Sequence, residues 1–281
     1  HHADTLASID NIFVGYDAGG GTWETNDSNY NVGIGNYVMD SALNGIVACT
    51  AVGHLALSSV TTNTGTGGGG SYNTAFGYQA LRDNLTGEGN VAIGGNAGMT
   101  QTTGEKNVFV GGSAGSDWDG DKNVAIGSAA MSGVGAPTGD YNVAVGYQAM
   151  KGATAALTGD NNTAIGKDAA LILQGAAANN TFVGATAGDA FTTGSNNVII
   201  GFNAGSHNVD TTTGIKNVLI GNYSDTSAAD SDNQIAIGYD CSGQADNSVT
   251  LGNADVTAVY MADDSGATVH CARSVNKANS A

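Results

Sequence analysis

A pentapeptide of the form Asn-Val-Ala-Ile-Gly returns fourteen times in this chain of 281 residues, from NIFVG ending at Gly15 to SVTLG ending at Gly252. The copies end at Gly15, Gly35, Gly53, Gly77, Gly94, Gly111, Gly127, Gly146, Gly166, Gly184, Gly201, Gly221, Gly238 and Gly252, so neighbours lie 14 to 24 residues apart. Self-similarity at that period restricts the chain to a repeat architecture, in which each unit buries its apolar surface against its neighbours. Each copy has the length and β-branched content of a short strand. A second short element follows, with Ala three residues beyond the glycine (GYDAG, GYQAL, GYQAM, GFNAG), and then a polar loop that often reads Thr-Gly-Asp or Thr-Gly-Glu. Those loops are turn signatures. Strand, turn, second element and loop make one coil, and fourteen coils stacked at roughly 4.8 Å give a rod about 60 Å long. The fold class expected is all-β: a parallel β-solenoid or β-roll of about fourteen rungs.

Side chains alternate along a strand, so the second and fourth positions of the pentapeptide share one face and the third takes the other. The second is always Val, Ile or Thr, and the fourth is always apolar. This face is expected to form the core of the coil. The third position, with Phe13, Ala92, Phe109, Ala125, Ala164, Phe182, Ile199 and Leu219 among its members, is apolar as well. Strands apolar on both faces are buried on both faces, and a thin coil has no second layer of its own. The third-position residues are therefore expected to meet another copy of the chain.

Residues 1–10 read as a leader or tag remnant, 11–255 as the solenoid, and 256–281 as a C-terminal β cap over the last open rung. The run from Thr61 to Gly70 reads as a bulge from one coil. Asn precedes most of the strands, either to stack rung on rung as a ladder or as a turn residue that enters the strand. Cys241 takes a small inward slot and reads as a buried thiol.

The chain carries 25 acidic residues against 8 basic ones, a net charge of −17. That balance excludes nucleic acid, whose phosphates call for a basic stripe. With no apolar run of 18 residues, no membrane insertion is expected. No catalytic or cofactor-binding constellation stands out. GGNAG at residues 94–98 lacks the Lys-Ser/Thr of a phosphate loop, and the 22 aspartates offer no distinct pair for glycoside hydrolysis. The chain is read as a non-enzyme. No metal site is expected; Asp117, Asp119 and Asp121 read as an acidic turn between rungs, with alternate carboxylates able to converge on calcium as the alternative. Trp23, Tyr30, Tyr72, Trp118 and Tyr141 are candidate receptor contacts, as aromatic rings in loops, with packing or anchoring of those loops the other role open to them.

The series NVAIG with a small-residue turn resembles the head repeats of trimeric autotransporter adhesins of the YadA type. The longer form, with GYQAL and TGDNNTAIG, is similar to phage tail-fibre proteins that carry a C-terminal endosialidase-type chaperone. The resemblance spans about residues 11–255. It implies a left-handed roll, an intertwined homotrimer, and attachment to a host surface glycan or protein from an extracellular position on a virion tail. A cell-surface adhesin or extracellular filament is the alternative it leaves, and a polysaccharide-degrading tailspike a lesser one.

Overall fold

A computed structural model describes residues 8–21, 23, 26–41, 43–61, 69–152 and 154–259. Every pentapeptide forms a three-residue strand. In chain order they are β1 (Ile12–Val14), β2 (Val32–Ile34), β3 (Thr50–Val52), β4 (Thr74–Phe76), β5 (Val91–Ile93), β6 (Val108–Val110), β7 (Val124–Ile126), β8 (Val143–Val145), β9 (Thr163–Ile165), β10 (Thr181–Val183), β11 (Val198–Ile200), β12 (Val218–Ile220), β13 (Ile235–Ile237) and β14 (Val249–Leu251). They form one sheet in sequential order. All pairs are parallel and equivalent positions face one another, as Ala92 faces Phe109. The chain is a β-solenoid, as the repeat requires. Among the described residues no helix is long and apolar enough to cross a membrane.

The two faces of the strands are exchanged relative to the sequence expectation. The third position points into the coil: Ala92, Phe109, Ala125, Ala164, Phe182, Ile199 and Leu219 are wholly buried within a single chain, and Phe13 packs against the same core. The second and fourth positions point outward. Residues expected at an interface between copies are therefore the core of each copy.

The reason is the width of the coil. The inward strand residue faces the turn element of its own rung, and the two share a fixed space. In four of the seven rungs where the strand offers Ala, the fourth residue beyond the glycine is large: Ala51 goes with Leu57, Ala75 with Leu81, Ala125 with Met131 and Ala144 with Met150, all buried. Where the strand offers Phe, that residue is Gly. A Cβ on Gly115 would overlap the Phe109 ring, and one on Gly188 the Phe182 ring. Close-packed interiors accept such exchanges only when total volume is kept.

The asparagine ladder forms. Asn107 Oδ1 accepts the Asn123 N–H at 2.7 Å, its own N–H donates to Asn90 Oδ1 at 2.9 Å, and its Nδ2 donates to the Gly120 carbonyl at 2.8 Å. The chain of bonds continues through Asn142, Asn162, Asn180, Asn197 and Asn217 to the Gln234 N–H. These amides are fully buried or nearly so, and each satisfies a backbone donor that the loop would leave unpaired.

Cys49 stands in the ladder slot of the third rung. Its N–H donates to Asn31 Oδ1 at 3.0 Å and its thiol donates to the Gly70 carbonyl at 3.2 Å. Burial pushes its pKa up to about 12, and burial also raises that of Cys241. Both are free and buried, the latter as the sequence suggested. Only the thiolate reacts. Peptide mapping after treatment with a maleimide is expected to find Cys49 and Cys241 unlabelled in the folded chain and labelled in denaturant. Labelling of Cys49 in the folded chain would contradict the packing of the third rung.

Residues 256–259 are exposed and form no strand. The rest of the expected cap, residues 260–281, lies outside the described residues, as do residues 1–7 of the expected leader and 62–68 of the expected bulge.

Candidate interaction surface

The exchange of faces leaves a flat apolar stripe on the outside of the rod. Two outward side chains per strand give twenty-eight positions, and all but Thr50, Thr74, Thr163 and Thr181 are apolar. The middle of the stripe is Val91, Ile93, Val108, Val110, Val124 and Ile126, partly buried or exposed while the residues between them are fully buried. Phe76 is 56% and Ile126 41% exposed. Exposures of that size amount to on the order of 1,500 Å² of apolar surface, against roughly 300–600 Å² for the largest patch on an ordinary monomer.

Outward alternation continues past the strand at both ends, because the ladder asparagine and the strand glycine both turn inward. One margin holds the residue before the asparagine and the other the residue after the glycine. Charge across this face is unlike that of the rest of the chain. Among the four outward positions of all fourteen rungs the only acid is Asp10, while Lys106, Lys122, Lys167 and Lys216 account for half of the eight basic residues. A chain of net charge −17 thus keeps negative charge off its apolar face.

The structure divides the five candidate receptor residues. Tyr30, Tyr72 and Tyr141 are 54%, 62% and 51% exposed and share one margin, on rungs 2, 4 and 8. Each occupies the position before a ladder asparagine, with left-handed backbone at φ 61°, 61° and 56°. Trp23 is half-buried, edge-on to Phe13 with centroids 6.0 Å apart. Trp118 is not a surface ring. It is among the largest buried side chains, and its Nε1 donates to the Gly139 carbonyl at 3.1 Å. Its loop folds inward to fill the coil, so an external ligand does not reach it.

The carboxylates proposed for calcium do not converge. Asp119 Oδ1 accepts the N–H groups of Thr102, Thr103 and Gly104 at 2.9, 2.7 and 3.1 Å, and Oδ2 accepts the Thr102 hydroxyl at 2.6 Å. Asp121 accepts the Glu105 N–H at 2.8 Å, and Asp117 accepts the Thr100 hydroxyl at 2.8 Å. Each caps a different part of the neighbouring loop, and among the described residues no group of three His, Cys, Asp or Glu is placed to hold a metal ion. Burial works to raise the pKa of Asp119, but the Thr102 hydroxyl and the three N–H donors outweigh it and hold the carboxyl below its ordinary value. A carboxyl with a lowered folded pKa contributes stability above its unfolded pKa and loses it as pH falls through the folded one. Asp119→Ala is expected to cost about 1–3 kcal/mol at neutral pH, with the difference from wild type vanishing in acid. Millimolar calcium is expected to leave the melting temperature of the full chain unchanged; a rise abolished by Asp119→Ala would restore the metal reading.

Sequence reasoning missed that the second and fourth positions face outward, although the pairing of Phe with Gly at the turn was in the sequence to signal it. No family model matches the chain, and no curated protein matches it.

Proposed function

We propose that this chain is a self-associating fibre segment, three copies around a common axis, that attaches to a host cell surface. The observation that carries the reading is the outward stripe of Val, Ile, Leu and Phe, kept clear of acid along all fourteen rungs. A stable interface takes roughly 800 Å² from each partner, and the stripe offers more than that in apolar area alone. Only a partner running alongside the rod covers a surface so long and narrow, and a second copy of the same rod has the matching length. The number three comes from the resemblance of the repeats to trimeric adhesin heads and tail fibres. The interface residues are those of the second and fourth positions rather than the third. The loops and margins then face outward to a receptor, Tyr30, Tyr72 and Tyr141 among them.

Sedimentation equilibrium of the full chain at micromolar concentration tests the assembly, with three times the chain mass expected. Saturable binding of the labelled rod to a panel of bacterial surfaces tests the attachment. A single-chain mass would overturn the first part of the reading, and a rod of the right mass that binds none of the surfaces would overturn the second.

A further inference from the structure

Beyond the strand glycine of the first four rungs, aromatic rings run into a continuous column. Tyr16, Tyr37, His54 and Tyr78 follow one another up the rod, with successive centroids 5.3, 5.9 and 5.6 Å apart, the first two contacts edge-on at 75° and 83° and the third near-parallel at 10°. Tyr16 is 68% exposed and Tyr78 54%. Rungs 11 to 13 repeat the arrangement: Phe202, Tyr223 and Tyr239 stand 5.4 and 5.7 Å apart. In each column an asparagine precedes the middle tyrosine, and its Oδ1 accepts the backbone N–H of the aromatic residue one rung earlier. The pairs are Asn36 with Tyr16 and Asn222 with Phe202, both at 2.9 Å. The same device thus fixes the spacing of two exposed aromatic columns. The six rungs between them place Gly95, Gly112, Ser128, Tyr147, Lys167 and Ala185 at the corresponding position, so that Tyr147 stands there as a single exposed ring with no aromatic on the rung before or after it.

We propose that these columns are aromatic platforms for an uncharged linear glycan lying along the rod, its sugars packing against the exposed rings. The proposal rests on the attachment reading and names the chemistry of the receptor. A pyranose pairs an apolar C–H face with a rim of hydroxyls, which suits a ring bearing a polar handle. Acceptors for those hydroxyls stand beside the first column. Asp17 follows Tyr16 directly in the chain and Asp40 lies three residues beyond Tyr37. Nucleobases also stack on such rows, but their phosphates call for cations. Residues 1–81 contain no Lys or Arg, while Asp10, Asp17, Asp27 and Asp40 lie among them. The same sign excludes acidic polysaccharides. Each ring follows the next at the spacing of the rungs, a repeat close to the advance of one sugar along an extended chain. Two columns on one rod also allow one polymer to be held at two points, which multiplies its apparent affinity.

The test is titration of the full chain with neutral hexasaccharides of β-1,4-glucan, β-1,4-linked N-acetylglucosamine and mannan, and with polygalacturonate fragments of the same length. Calorimetry and tyrosine fluorescence report binding. At least one neutral oligomer is expected to bind and polygalacturonate is not. The double variant Tyr16→Ala/Tyr78→Ala is expected to weaken that binding about tenfold or more, with oligomeric mass and melting temperature unchanged. Binding that survives the double variant, or no binding of any neutral oligomer, overturns the proposal. So does a double variant that loses oligomeric mass, which would make the column a contact between copies. If the rod still attaches to cells while the column variants bind as wild type, the column assignment falls and the attachment reading stands.

Discussion

Gly111→Ala is expected to destabilise the rod strongly, and Gly112→Ala, one residue later, is expected to do almost nothing. Gly111 has φ +134°, a region that L-residues essentially do not enter, and a Cβ there would lie 2.6 Å from both the carbonyl carbon and oxygen of Gly127 on the next rung. Neither fault has a local remedy. The left-handed strain costs on the order of 1–3 kcal/mol, and the obstacle is backbone held in a parallel ladder rather than a movable side chain. Together they are expected to cost about 3 kcal/mol or more, a fall in melting temperature on the order of 10 °C by the usual scaling for chains of this size. The Cβ of an alanine at Gly112 meets nothing within 4 Å, and Ala185 already occupies the equivalent place on the tenth rung. Thermal unfolding followed by circular dichroism compares the two. Equal melting temperatures would mean that the strands stack less closely than the ladder implies.

That contrast also marks how far the sequence could be read. The strand glycines, their fourteen positions and the parallel stacking were legible because a repeated backbone requirement leaves a repeated residue. The ladder was legible in part for the same reason: a buried amide at a fixed place recurs as Asn, and in the same slot the Cys49 thiol bonds the Gly70 carbonyl and the Gln234 amide bonds Ser227. Which face of the strand looks inward was misread, because Val and Ile at the outer positions are more hydrophobic than the Ala that fills half of the inner ones. Hydrophobicity alone ranks them the wrong way. The narrowness of the coil decides, and only the exchange of volume between Phe109 and Gly115, or Ala75 and Leu81, reports it. Trp118 was misplaced for a different reason. Its burial depends on where a loop folds, and loop composition alone does not show that its indole reaches the Gly139 carbonyl. Nor did three aspartates at alternate positions show that each would cap a separate stretch of backbone.

The corrected faces make neighbouring residues respond oppositely to the same substitution. Val110→Asp with Ile126→Asp is expected to convert the assembly to single chains that remain folded, whereas Phe109→Asp is expected to destroy the fold. Val110 and Ile126 are outward and partly wet in the isolated coil, so a carboxylate there stays solvated when the chain is alone. Within a covered interface the same carboxylates lie on adjacent rungs in every copy, unpaired and stripped of water, at a cost of several kcal/mol per ion. Two such ions per chain weaken association by more than about a thousandfold, since each 1.4 kcal/mol is a factor of ten. Phe109 is wholly enclosed between the turns of its own chain, and a carboxylate in its place loses the ring's packing, about 3–5 kcal/mol, in addition to burying its own charge. Sedimentation reports the mass and far-ultraviolet circular dichroism the fold. Trimers of the outward variant at wild-type affinity would show that the stripe is not where the copies meet. A folded but dissociated Phe109→Asp chain would return the interface to the third position of the repeat.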